Sequence, residues 1–206
     1  MMMMEAPGWL TALSWAFVGV TVVCATVIAF DVFVRGRRQS TRTMDAVWPL
    51  SALYLGPVAL ALYARWGRPR STPPVAAGGL AGGAASALAH LVGVPLVVLS
   101  GLTIAGIDLW PMILVIAVIA TALLAGFEAA AGRGWSVALA LSLITVLAFD
   151  VGMGGWMLLL HFTENMPSAT SIAFWFLMQI GVVLGTMTAL PVIRWTARRA
   201  RAAALA

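Results

Sequence analysis

The chain has 206 residues, of which 62% are hydrophobic and only 9% charged, with a mean hydropathy of +1.01. Soluble domains carry roughly 25% charged residues, so water is not the main solvent for this surface. All twelve basic residues are Arg and none is Lys. This excludes a Schiff-base lysine, a P-loop lysine and a lysine general base. The high pI does not indicate nucleic acid, because the arginines lie between or beyond apolar runs, where they read as headgroup anchors.

Six apolar segments follow in chain order: 9–34, 46–64, 75–100, 109–131, 135–161 and 170–193. Each reaches the length that crosses the hydrocarbon core at 1.5 Å per residue, the second only just. In lipid the backbone must satisfy its own hydrogen bonds, and no alternating pattern argues for a barrel. The expected fold is therefore all-α: a single polytopic transmembrane helix bundle over residues 1–206, of about six membrane segments.

The first segment opens without a basic n-region and exceeds a signal h-region, so it reads as a retained span. It holds the only cysteine, Cys24, which excludes an intrachain disulfide or a thiolate cage and reads as a small packing residue. Between segments, residues 35–45 are polar and basic, 67–74 hold three prolines, and 165–168 look like a turn into an N-cap. Trp9, Trp48, Trp66, Trp110, Trp135 and Trp195 fall near segment ends, at the headgroup level.

Arginine placement favours six crossings with both termini inside, at the expense of leaving Arg35, Arg37, Arg38 and Arg42 outside. In another arrangement the second segment, with Pro49 and Pro57, enters and leaves on one side, and every Arg falls inside. The third segment is Gly/Ala-rich, and Gly181, Gly185 and Ala189 give the last helix a face for close packing.

Ionisable groups at membrane depth are expensive and become candidates for function. Asp150 lies mid-segment, and Met153, Gly154, Met157 and His161 follow it on the same helical face. Such a stripe suits a soft metal, a proton relay or interhelical hydrogen bonding; as a metal site Met153, Met157 and His161 are weak candidates, since Met is also ordinary core filler. His90 and Gln179 also need partners in lipid, and Asp150 is the obvious shared one. Asp31, Asp45, Asp108, Glu128 and Glu164 fall near segment ends and read as interface groups. Catalytic templates such as HExxH, GxSxG and GxGxxG before a strand are absent, so an enzyme is unsupported and no cofactor is assigned.

The residues 149–157, Phe-Asp-Val-Gly-Met-Gly-Gly-Trp-Met, then 174–179, Phe-Trp-Phe-Leu-Met-Gln, and Pro191 resemble the domain-of-unknown-function family DUF4396. Residues 48–57 are similar to that family's second segment. The resemblance implies a small bacterial multi-span protein of the plasma membrane without established activity. It also implies, in many members, a His-Cys pair, a second Cys and an acidic residue in the third segment. Residues 81–90 here read Ala-Gly-Gly-Ala-Ala-Ser-Ala-Leu-Ala-His, so those ligands are not carried over, while the family's acidic residue and Gln are kept as Asp150 and Gln179. The functional expectation is a small-solute or cation transport or handling component using Asp150, His90, Gln179 and His161. The alternatives are an assembly subunit, or a copper-like metal-binding protein. The bilayer is the one expected partner, with a solute, a second copy or another membrane protein left open.

Overall fold

A computed structural model describes residues 6–39, 41–67 and 78–203. Its helices are α1 (Gly8–Ala29, continued by a π-helical turn Phe30–Val34), α2 (Arg42–Leu55), α3 (Pro57–Trp66), α4 (Gly78–Ser100), α5 (Leu109–Ala130), α6 (Trp135–Phe162) and α7 (Ile172–Ala203). Among the described residues five stretches are long and apolar enough to cross a bilayer: Gly8–Val34, Gly79–Ser100, Leu109–Ala130, Trp135–Phe162 and Ile172–Arg198. Helices close their backbone hydrogen bonds internally, which is why apolar side chains such as Leu99, Val118 and Val151 tolerate high exposure to a lipid solvent. The chain is thus an all-α membrane bundle.

The second apolar segment does not form one crossing helix. At Gly56 the backbone turns to φ 55° and ψ −127°, a left-handed region open to glycine, and Pro57 starts α3 at its first position. The result is a hairpin rather than a rod. The rings of Trp48 and Tyr63 meet edge to face at 5.6 Å, whereas fifteen residues of straight helix would set them about 22 Å apart. The Gln39 side-chain amide donates to the Gly67 carbonyl, so both feet of the hairpin stand together. Its tip reaches the middle of α1, where Gly56 faces Thr21. The segment expected at 46–64 is therefore a fold-back pair whose arms are 14 and 10 residues long, each short of a full crossing.

The five long helices alternate in direction, and α1 runs parallel to α7, with Phe17 packed on Phe176 at 5.2 Å. Gly8 and the last turns of α7 consequently lie at opposite ends, which corrects the expectation of both termini on one side. Every arginine with a described side chain, from Arg35 to Arg198, lies at the end holding the hairpin feet and the α5–α6 turn. Asp108 and Glu164 lie at the other end. Trp48, expected among headgroups, is instead 1% exposed and packs inside the hairpin core, because the fold-back turns its helix inward.

Two buried clusters hold the bundle. One joins α4, α5, α6 and α7 through residues such as Ile116, Phe149, Met153 and Phe174; the other joins α1, the hairpin and α4 through Ile28, Val47, Trp48 and Ala84. The α6–α7 seam is the tightest. A β-carbon on Gly152 would stand 2.6 Å from the Leu184 carbonyl oxygen, and one on Gly185 would meet the Phe149 ring at 2.7 Å. Gly181 receives Met153 and Trp156, and Ala189 is buried, so the small residues of α7 sit in the bundle core.

Two carboxylates anchor the hairpin feet. Asp31 accepts from the Tyr63 hydroxyl at 2.9 Å and from Arg37 at 3.2 Å; Asp45 accepts from the Gln39 backbone N–H at 2.7 Å and from Arg38 at 3.1 Å. Both residues are buried, Asp31 at 8% exposure and Asp45 at 4%, so they serve the fold rather than standing free at the interface.

Candidate functional site

His90 lies near the middle of α4, one turn beyond Ser86. Its Nδ1 stands 2.8 Å from the Ser86 carbonyl oxygen, and a carbonyl only accepts, so Nδ1 carries the proton. Nε2 is left as an acceptor. That atom is buried and has no hydrogen-bond partner among the described residues. On α7, the side-chain oxygen Oε1 of Gln179 is in the same condition.

Both residues line one cavity of about 350 Å³ between α1, α2, α4 and α7. Thr21, Tyr54, Trp175 and Met178 contribute to the same wall. The hairpin arm supplies the Tyr54 part of it, and the Tyr54 hydroxyl is turned to the Leu80 carbonyl at 3.4 Å. Thr21 likewise spends its hydroxyl on the Val18 carbonyl, at 2.9 Å. The cavity wall is therefore mostly apolar, and two of its residues each hold a buried acceptor without a partner among the described residues. Burying a polar group without a partner costs about 1 to 3 kcal/mol, so this pair is an anomaly that a ligand would relieve.

Asp150 is elsewhere. It lines a narrow groove on the α6 side with Gly82, Ser86, Thr145 and Phe149, and makes no side-chain hydrogen bond or ion pair among the described residues. Ser86 is the link, since it borders that groove and bonds His90. The structure thus brings His90 and Gln179 to one cavity and leaves Asp150 one helix turn of α4 away from it.

His161 lies at the end opposite the arginines. It lines a cavity of about 380 Å³ with Asp108, Met112 and Glu164. Met153 and Met157, at 2% and 1% exposure, are packed into the main core. Among the described residues no three His, Cys, Asp or Glu side chains come together in a way that holds a metal ion.

Sequence reasoning passed over Tyr54 and Trp175. The available signal was a tyrosine in an apolar segment, whose hydroxyl requires a partner in lipid. It also set Asp31 and Asp45 aside as interface groups: Tyr63 reaches Asp31 only through the fold-back, and Gln39 and Arg38 meet Asp45 in the turn that leads into α2.

Five long apolar helices, a fold-back pair and buried polar side chains between them define a polytopic integral membrane protein. A family model described as Domain of unknown function (DUF4396) matches residues 74–201. That is more than half of the chain, which therefore belongs to this family. Asp150, His90 and Gln179 fall inside the matched range, whereas α1, the hairpin and residues 48–57 fall outside it. No curated protein and no solved structure matches the chain.

Proposed function

We propose that this protein binds a small hydrogen-bond-donating solute, such as an amine or amide, in the cavity between α1, α2, α4 and α7, and handles or transports it across the bilayer. One observation carries the reading: His90 and Gln179, each with a buried acceptor that has no partner among the described residues, line the same cavity. A solute with two N–H groups would satisfy both at once. The ring faces of Tyr54 and Trp175 in the wall would favour a cationic amine over a neutral amide. Asp150, reached through Ser86, supplies a second polar station on the way between helices.

The orientation follows from charge. Arginines are retained on the cytoplasmic side of membranes, so the basic end is assigned there and Gly8 to the outer face. The Lys-free, Arg- and Ala-rich composition fits a GC-rich bacterial genome, and the membrane is proposed to be a bacterial plasma membrane.

The test is flux of methylammonium and a panel of small amines and amides into proteoliposomes, paired with thermal unfolding of the detergent-purified protein in the same compounds. We expect saturable uptake and ligand-dependent stabilisation in the wild type, with uptake reduced about tenfold by His90→Leu or Gln179→Leu. Uptake no faster than in protein-free liposomes, together with unfolding curves that no compound shifts, would overturn the proposal.

A further inference from the structure

A separate cavity of about 620 Å³ lies between α1 and α3 at the basic end. Its floor is apolar, formed by Val22, Val23, Val27 and Leu60, and its rim carries Arg35 and Arg37. Val22, Val23 and Val27 are each about half exposed, at 49%, 62% and 49%, so the floor faces the surrounding lipid rather than the core. From Val22 to Arg35 the groove follows thirteen residues of helix, a length of about 20 Å. That equals one leaflet of a hydrocarbon core about 30 Å thick plus the start of its headgroup layer.

The rim is positive on balance. Asp31 sits between the two guanidiniums, 3.6 Å from Nη1 of Arg35 and 3.2 Å from Nη1 of Arg37. One carboxylate against two guanidiniums leaves one net positive charge. The Arg side chains are 62% and 41% exposed, and of the five N–H donors on each guanidinium, Arg37 gives one to Asp31. A planar guanidinium matches phosphate oxygens in pairs, and two of them above an apolar trough fit an anionic group attached to a hydrocarbon chain. A free phosphate would use the rim and leave the trough empty.

We infer that the α1–α3 groove seats one anionic phospholipid of the leaflet at the basic end, its phosphate on Arg35 and Arg37 and an acyl chain along Val22, Val23, Val27 and Leu60. Bound lipid would brace the hairpin against α1 from outside. The site lies beside the His90–Gln179 cavity and shares Val22 of α1 with it, while its arginine rim belongs to the groove alone.

The experiment is native mass spectrometry of the full-length protein released from bilayers of equal phosphatidylglycerol and phosphatidylcholine. We expect one phosphatidylglycerol retained in preference to phosphatidylcholine, by about tenfold. Arg35→Gln with Arg37→Gln should abolish that preference, while Arg133→Gln, at the same end but away from the groove, should keep it. Val23→Trp, which fills the exposed trough and leaves both arginines intact, should lower retention without unfolding the protein. Equal retention of the two lipids in the wild type, an unchanged preference in the double variant, or full retention in Val23→Trp would each overturn the assignment.

Discussion

At Gln179 a side-chain oxygen is held inside the bundle with nothing among the described residues to accept from, while the Thr21 and Tyr54 hydroxyls of the same wall bond to backbone carbonyls. A group left in this state is maintained against stability. Gln179→Leu should therefore raise the unfolding midpoint of the ligand-free protein in detergent, by an amount corresponding to about 1 to 2 kcal/mol. A midpoint that falls would mean that the oxygen has a partner in the folded protein. At this scale the sequence was informative about which polar residues fall inside apolar segments and silent about how they combine. His90 and Gln179 stand out in any reading of polar residues in apolar segments. That they share a cavity with each other rather than with Asp150 depends on how α4 and α7 cross, and residue type alone does not carry that information.

At the scale of helices, the α6–α7 seam and the hairpin were legible to different degrees. The small-residue face of α7 was readable from its spacing, and its partner on α6 became evident only with the crossing itself: Gly152 against the Leu184 carbonyl, Gly185 against Phe149. Because the obstacle at Gly152 is backbone, no rotamer change relieves it. Gly152→Ala should lower stability by about 1 to 3 kcal/mol, measured as thermal unfolding or resistance to SDS. Gly126→Ala on α5, where a β-carbon meets nothing within 4 Å, should leave it unchanged or slightly higher. Equal effects of the two substitutions would show that close approach does not set the seam. The hairpin was harder to read, because a 19-residue apolar run with two prolines is equally compatible with a kinked crossing. What decides between them is tertiary: the Tyr63 hydroxyl on Asp31 and the Gln39 amide on Gly67 tie residues some thirty positions apart.

For the molecule as a whole, the fold-back leaves five candidate crossings among the described residues beside the two short arms, and an odd number of crossings predicts the side on which each loop is found. Single-cysteine variants in a Cys24→Ala background make this testable in intact cells. A cysteine at Glu164 should react with a membrane-impermeant maleimide, and one at Gly36 should react only after the cells are opened. Labelling of both from one side, or the reverse pattern, would contradict the arrangement. Helical character and the membrane solvent were available from apolar run lengths, since those depend on the solvent alone. Topology was not, because charge counting offered two arrangements that differ only in the behaviour of one short segment.

The hairpin stops at the level of Thr21, halfway along α1. Among the described residues, a section through the basic half of the bundle therefore cuts seven rods, and a section through the other half cuts five. The molecule is a wedge, and it displaces more lipid area from one leaflet than from the other. In a flat sheet that mismatch must be absorbed by lipids crowding around the thin end. Where the sheet bows outward on the basic side, the shape is accommodated without it, so the bending of the surrounding bilayer and the seating of two short arms are coupled quantities.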